Sequence, residues 1–248
     1  MQQQGQGNSE QLQEKMNDHL CVLWCYNNVE HIIKCFESVQ MSTMDYFIVE
    51  NRSPHSLELQ KYFHEKRVVG HIRFKDNIAD NAVKIFFHDY KRLLYKYKYI
   101  TFSDGDLRLD NARETFAEVR KILDHKEVGV CAVDLKLDNF PYDIAKPSDW
   151  LPGPVGKTDD YIECATGAHM MTLKTENLSV LVDAKKAIDG CFREMCANMG
   201  LKWVKTIKNK AYHLTWDYYH KGNPYYDFRV ANPKIFVVTK FCRYIRLK

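Results

Sequence analysis

Blocks of apolar residues recur along the chain with two periods, and their order predicts the architecture. Leu20 to Cys25 and Asp45 to Glu50 are short runs dominated by apolar, β-branched and aromatic residues, the composition of strands. Val29 to Val39 and Ser56 to Glu65 read instead as helices. The series continues with a short strand at Val69 to Phe74, a helix at Ala79 to Tyr95, a strand ending at Asp104, a helix at Ala112 to Leu123 and a strand at Val128 to Leu135. A strand at His169 to Leu173, helices near Glu176 to Val182 and Gly190 to Met199, and a strand around Trp203 to Ile207 complete it. Strands alternating with helices of this length signal βαβ units. The expected fold class is therefore α/β, a single Rossmann-like domain with a mainly parallel central sheet flanked by helices.

The flanks differ from this body. Residues 1–17 are rich in Gln, Gly, Asn and Ser and nearly devoid of apolar residues, which predicts a disordered lead. The domain is expected to span residues 18–215, followed by an extension, 216–248, that packs on it. Within the body, Asn139 to Asp160 carries Pro141, Pro147, Pro152, Gly153, Pro154 and Gly156 and reads as a mobile loop. No internal repeat is visible.

Composition narrows the functional classes. A chain of 248 residues, 45% of them hydrophobic, can bury one full core. Its net charge of +4 comes from 36 basic residues interspersed with 32 acidic ones, which is not the footprint of a nucleic-acid binder. The eight cysteines sit mostly in apolar segments without the paired short spacings of a zinc site, as buried thiols of a reducing compartment would. No stretch approaches the roughly 20 apolar residues of a membrane span and the start is polar, so the expectation is a cytoplasmic protein, soluble or peripherally membrane-associated. The segment Pro233 to Lys248 mixes apolar residues with Lys234, Lys240, Arg243, Arg246 and Lys248. It either packs its apolar face on the domain, the expected case, or touches an anionic membrane.

The strongest chemical signal is Asp104-Gly105-Asp106. Tyr97, Tyr99, Thr101 and Ser103 alternate with Lys98, Ile100 and Phe102 ahead of it, so two carboxylates stand at the end of a strand. Such a pair suits a hard divalent ion that keeps positions open for phosphate oxygens, though Asp-Gly is also a common hairpin turn. Ligands of α/β sheets sit outside the carboxyl ends of the strands, so Tyr26-Asn27-Asn28, Glu50-Asn51-Arg52-Ser53 and the acidic turn should converge on one crevice.

In order and spacing these segments resemble the nucleotide-sugar glycosyltransferases of single-domain GT-A type, most closely the large inverting family 2. Leu20 to Val39 is similar to that family's first strand, Tyr-Asn loop and following helix, and Phe47 to Ser53 to its second strand. Asp104-Gly105-Asp106 resembles its Asp-any-Asp metal motif. Asp189 to Gly200 resembles its acidic residue followed by an amphipathic helix ending in Gly, and Lys208 to His213 the strand and His beyond it. The resemblance implies a Mn²⁺ or Mg²⁺ ion on Asp104 and Asp106 with His213, and Asp189 as catalytic base. It also implies donor contacts from Tyr26, Asn27, Glu50, Asn51 and Gly105, a nucleoside-diphosphate sugar as donor, and a glycan or lipid-linked acceptor. Two departures stand out: Asn77 to Lys84 replaces a Gly-rich turn, and the helix after Asp189 lacks the second acidic residue and the Arg common in the family.

Each residue also has a plainer role. Asn27-Asn28 suits a helix N-cap, Tyr26 a rim aromatic and Glu50 a solvated strand end. Lys84, Arg73 and Lys75 are candidate phosphate contacts or solvated cations. His169 and Trp150 are candidate acceptor contacts, or a strand-end histidine and a loop anchor. Competing functions are a nucleotidyltransferase, which would be expected to carry a basic Gly-rich loop after the first strand, and a non-catalytic sugar-nucleotide or glycan-binding module.

Overall fold

The protein is described by a computed structural model covering residues 17–26, 28–53, 55–78, 81–151, 153–164, 169–178, 188–231 and 244–248, without the side chains at 83, 188, 189, 228, 229 and 244. Its first strand, β1 (His19–Cys25), is apolar from Leu20 onward because both of its faces are covered. Cys21, Leu23 and Cys25 enter one apolar cluster; Leu20 and Val22 enter the other, across the sheet. Strand β2 (Asp45–Asn51) is buried along its whole length, and β3 (Gly70–Phe74) and β4 (Tyr99–Asp104) extend the same layer.

Helices α1 (Val29–Val39), α2 (Ser56–His64) and α5 (Ala112–Leu123) supply the first cluster, through residues such as Phe36, Phe63 and Phe116. Two of these helices are opened by asparagine: the side chain of Asn28 accepts from His31 N at 3.4 Å and that of Asn111 from Glu114 N at 3.2 Å. The opposite face is covered by α3 (Asn81–Asp89), α4 (Lys91–Leu94) and α7 (Ile188–Met199), with Phe86, Phe87, Leu94 and Phe192 buried. The expected helix from 79 to 95 is thus broken at Tyr90, whose ring stacks on Phe86 (centroids 5.1 Å apart) and packs against Phe47. Among the described residues no helix is long and apolar enough to cross a membrane.

Among the described residues the sheet holds eleven strands and is mixed. After β5 (Leu107–Arg108) come β6 (Val128–Leu135), α6 (Pro147–Trp150), β7 (Pro154–Lys157), β8 (Ile162–Cys164) and β9 (Met170–Lys174). The stretch read as one irregular loop therefore contains a helical turn and an edge strand. Strand β10 (Lys202–His213) joins the two segments expected at 203–207 and 208–213 into one, with its register interrupted between Lys205 and Lys210. Glu118 of α5 clasps that interruption, accepting from the backbone N–H groups of Ile207, Lys208 and Asn209, each at 2.9 Å.

Spatial order runs β11-β3-β2-β1-β4-β9-β6-β10-β8-β7, with β5 against β10. The pairings β3-β2, β2-β1, β1-β4 and β6-β10 are parallel, whereas β9 runs antiparallel to both β4 and β6. Beyond β10 the chain makes one turn of 3-10 helix (Leu214–Tyr218), then α8 (Pro224–Ala231). A last strand, β11 (Tyr244–Arg246), lies antiparallel to β3. Lys234, Lys240 and Arg243 lie outside the described residues.

Candidate functional site

The reversal of β9 brings the site together. Strands β1, β2, β4 and β10 all end at one edge of the sheet, and β9, running the other way, begins there. Tyr26, Asn51, Asp104, His169 and His213 consequently stand around one cavity of about 680 Å³. That volume lies within the roughly 300–1,000 Å³ of a small-molecule site.

The acidic turn is not a hairpin. Strand β4 pairs with β1 and β9, whereas β5, just past the turn, pairs with β10 through Leu107 and His213. The turn is therefore suspended between strands, pinned by Asp104 N donating to His169 O at 3.0 Å and Leu214 N donating to Asp106 O at 2.8 Å. Gly105 is required by crowding: a Cβ there would come within 3.0 Å of the Trp24 carbonyl oxygen and 3.1 Å of Ile32 Cγ1.

Each carboxylate faces an imidazole. His169 Nδ1 lies 3.5 Å from Asp104 Oδ2, and His213 Nδ1 lies 3.6 Å from Asp106 Oδ2. Neither Nδ1, both buried, makes a hydrogen bond among the described residues. The two imidazole rings meet edge to face at 5.5 Å, and that of His213 lies flat on Trp216 at 4.7 Å. Thr215 donates its hydroxyl to Asp106, and its oxygen is 3.5 Å from His31 Nδ1. Burial raises the Asp104 carboxyl above its usual range and the Asp106 charge adds to this, while His169 pulls it back. Burial likewise lowers His213, against the pull of Asp106, and so favours the neutral imidazole that a metal requires.

These groups fit a divalent ion by type: two hard carboxylates and two imidazoles with unspent nitrogens. They stand in pairs rather than as one cage, and among the described residues no three such side chains are gathered closely enough to hold an ion in this conformation. The described lining of the cavity contains no Lys or Arg, so nothing else there offsets the carboxylates with a full positive charge.

The other expected site residues divide. Tyr26, Asn51 and Gly105 line the cavity. The side chain of Asn51 accepts from Ile78 N at 3.3 Å, which tethers the segment leading into α3. Glu50 is not on the cavity: strand alternation turns its carboxylate, fully buried, beneath α2, where it accepts from Ser56 Oγ and lies 3.2 Å from His71 Nε2. Asn51, the next residue, lines the cavity instead. Lys84 lies on α3 and Arg73 on β3, and neither they nor Lys75 belong to the described lining. Asn27 and the Asp189 side chain lie outside the described residues; the Asp189 backbone sits in the first turn of α7. His169, expected near an acceptor, is beside Asp104.

Several lining residues carried no signal in the sequence. Thr215 and Trp216 follow His213 in a 3-10 turn that no periodicity announced, and His31 is a helix residue stacked on Tyr218 at 4.9 Å. Asn77, Tyr219, Tyr225 and Tyr226 complete the walls.

No family model matches the sequence. Uncharacterized protein L142 of Acanthamoeba polyphaga mimivirus is 29% identical over 242 residues, covering 90% of this chain and 49% of that protein. L137 of the same virus is 26% identical over 233 residues, covering 86% of this chain and 31% of that protein. The chain thus spans about half or less of these relatives' length. Among solved structures, the mannosyltransferase PcManGT from Pyrobaculum calidifontis in complex with GDP-Man and Mn²⁺ is similar with a TM-score of 0.55 and 14% identity, over 88% of this chain and 62% of that one. TarS of S. aureus, in complex with UDP-GlcNAc, gives 0.53 and 14% over 79% of this chain and 58% of that one. The CMP:2-keto-3-deoxy-manno-octonic acid synthetase, complexed with CTP, gives 0.50 and 9% over 76% of this chain and 89% of that one. At these identities the likeness establishes the fold, an α/β mixed sheet flanked by helices of the GT-A, Rossmann-like kind.

Proposed function

We propose that this chain is a metal-dependent glycosyltransferase that moves a sugar from a nucleoside-diphosphate donor, UDP-linked in the first instance, to a hydroxyl acceptor with inversion. The observation that carries the reading is the Asp104-Gly105-Asp106 turn facing His169 and His213 in a cavity with no described Lys or Arg. A diphosphate placed there would meet two carboxylates, and a cation between them resolves the repulsion. The similar folds solved with GDP-Man and Mn²⁺ and with UDP-GlcNAc support the donor class.

In this reading Asp104, Asp106 and His213 are the residues that would hold Mn²⁺ or Mg²⁺, an imidazole ligand favouring Mn²⁺. The bound ion would supply Lewis-acid stabilisation to the departing diphosphate. Tyr26 and Asn51 orient the nucleoside at the β1–β2 end of the cavity. Asp189 accepts the proton of the acceptor hydroxyl as that oxygen bonds to the anomeric carbon. The bond from that carbon to the phosphate oxygen breaks on the opposite face, and the nucleoside diphosphate leaves with the electron pair.

Screening UDP- and GDP-sugars for Mn²⁺-dependent release of nucleoside diphosphate tests this. Release is expected with at least one donor and is expected to fall by more than 100-fold in Asp106→Asn. An absence of turnover and of metal dependence across all donors refutes it. The likeness to a CTP-complexed synthetase keeps nucleotidyl transfer as the second reading. Release of pyrophosphate from a nucleoside triphosphate and a sugar phosphate would establish it instead.

A further inference from the structure

The proposed donor chemistry occupies only part of the cavity. Its far wall, built from α6, the 3-10 turn after β10 and α8, consists of Trp150, Leu151, Tyr219, Tyr225, Tyr226 and Val230. The 3-10 turn follows His213 directly, and Tyr225 of α8 also stands beside Asn28 at the start of α1, so this wall flanks the acidic turn on the outer side of the cavity. Trp150 is 43% exposed, an unusual state for so large an apolar ring. Its ring neighbours are Phe140 at 5.4 Å and 59° and Tyr219 at 5.6 Å and 71°. Both meet it tilted or edge-on. The deeper rings differ, because those of His213 and Trp216, and of His31 and Tyr218, lie face to face and cover one another.

We infer that this wall is a carbohydrate subsite, holding a pyranose of the acceptor by stacking on Trp150 with Tyr226 alongside. The inference rests on the glycosyltransferase reading and deepens it by naming the acceptor class as a glycan. A pyranose has apolar C–H faces and a polar equator, and a Trp platform edged by phenols matches both: the ring covers the face and the hydroxyls meet the rim. A lipid chain would call for an aliphatic groove, and among the described residues of this wall only Leu151 and Val230 are aliphatic.

The test is binding rather than turnover. Intrinsic fluorescence of the full chain is titrated with cellobiose, chitobiose, mannobiose and lactose, and separately with UDP and GDP in the presence of Mn²⁺. Three of the four tryptophans, Trp24, Trp150 and Trp216, line the cavity, so emission reports its occupancy and the Trp150 variants assign the contribution of that ring. At least one disaccharide is expected to change the emission with millimolar affinity. By calorimetry, Trp150→Ala is expected to weaken that affinity at least tenfold, while Trp150→Phe, which keeps a ring, retains most of it. Thermal melts establish that the variants are folded. The inference is overturned if no disaccharide binds, if Trp150→Ala binds as the parent does, or if the nucleotides rather than the sugars depend on Trp150. Nucleotide binding by the parent reports on the donor reading separately: its absence, with sugar binding intact, would sink the transferase and leave the subsite.

Discussion

Replacing His19 by Gln should remove most of one component of the acid sensitivity of folding. His19 opens β1, is 1% exposed and sits between Tyr99 and Phe116, with Nε2 2.7 Å from Thr101 Oγ1 and Nδ1 without a partner. Burial, assisted by Arg120, lowers its pKa to about 3. An unfolded His titrates near 6.5, so between these values the unfolded chain binds a proton that the folded chain refuses. Stability contributed by the neutral ring is complete above about pH 6.5 and is lost as pH falls, at about 1.4 kcal/mol per unit. By about pH 5 the loss amounts to roughly 2 kcal/mol, or about 4–8 °C in Tm for a chain of this size. Gln can keep the Thr101 bond without titrating. Urea unfolding followed by circular dichroism, at intervals from about pH 7.5 to 5, should show the parent losing stability relative to the variant as pH falls, by roughly 2 kcal/mol at about pH 5. Other histidines contribute equally to both and cancel in the difference. Parallel curves would mean that His19 titrates normally in the folded state, and the argument from burial would fail.

Three further outcomes follow from the packing. Gly105→Ala should destabilise by about 1–3 kcal/mol, since the Trp24 carbonyl cannot give way as a side-chain end would, and should weaken Mn²⁺-dependent nucleotide binding; calorimetry checks both. Glu118 is held below the usual carboxylate range because its hydrogen bonds outweigh its burial, so Glu118→Ala, which strands three N–H groups of β10, should cost about 1–3 kcal/mol in urea denaturation. The seven described cysteines are free and buried, with burial pushing thiols such as Cys35 up to about 12, so under native conditions they should resist a thiol reagent that labels them in urea.

What the sequence disclosed was what local pattern encodes. Strand β1 and helices α1 and α5 appear where their apolar residues and asparagine caps place them, because those signals lie within a few residues of one another. The acidic turn was legible for the same reason. Glu50 was misplaced because alternation along a strand fixes opposite faces but not which of them meets the cavity; that depends on α2 and His71, distant in sequence. His169 was left open between an acceptor contact and a strand-end histidine; it stands just before β9 and lines the cavity beside Asp104, a neighbour set by sheet order, which no short window records. Thr215, Trp216 and the aromatic wall arise from a 3-10 turn and a short helix too brief to show a period.

The reversed strand also orders events in time. Strand β1 lies beside β2 and β4, both within about the first hundred residues, whereas β6 has as described neighbours only β9 and β10, which are made after it. During synthesis the first half of the sheet can therefore close on itself while β6 waits, and non-local pairings of this kind come late because loop closure must precede them. Asp104 belongs to the early half; His169 and His213 arrive with the late strands. The cavity is thus absent from any half-made chain, and nothing that depends on it can be engaged before the sheet is stitched across its centre.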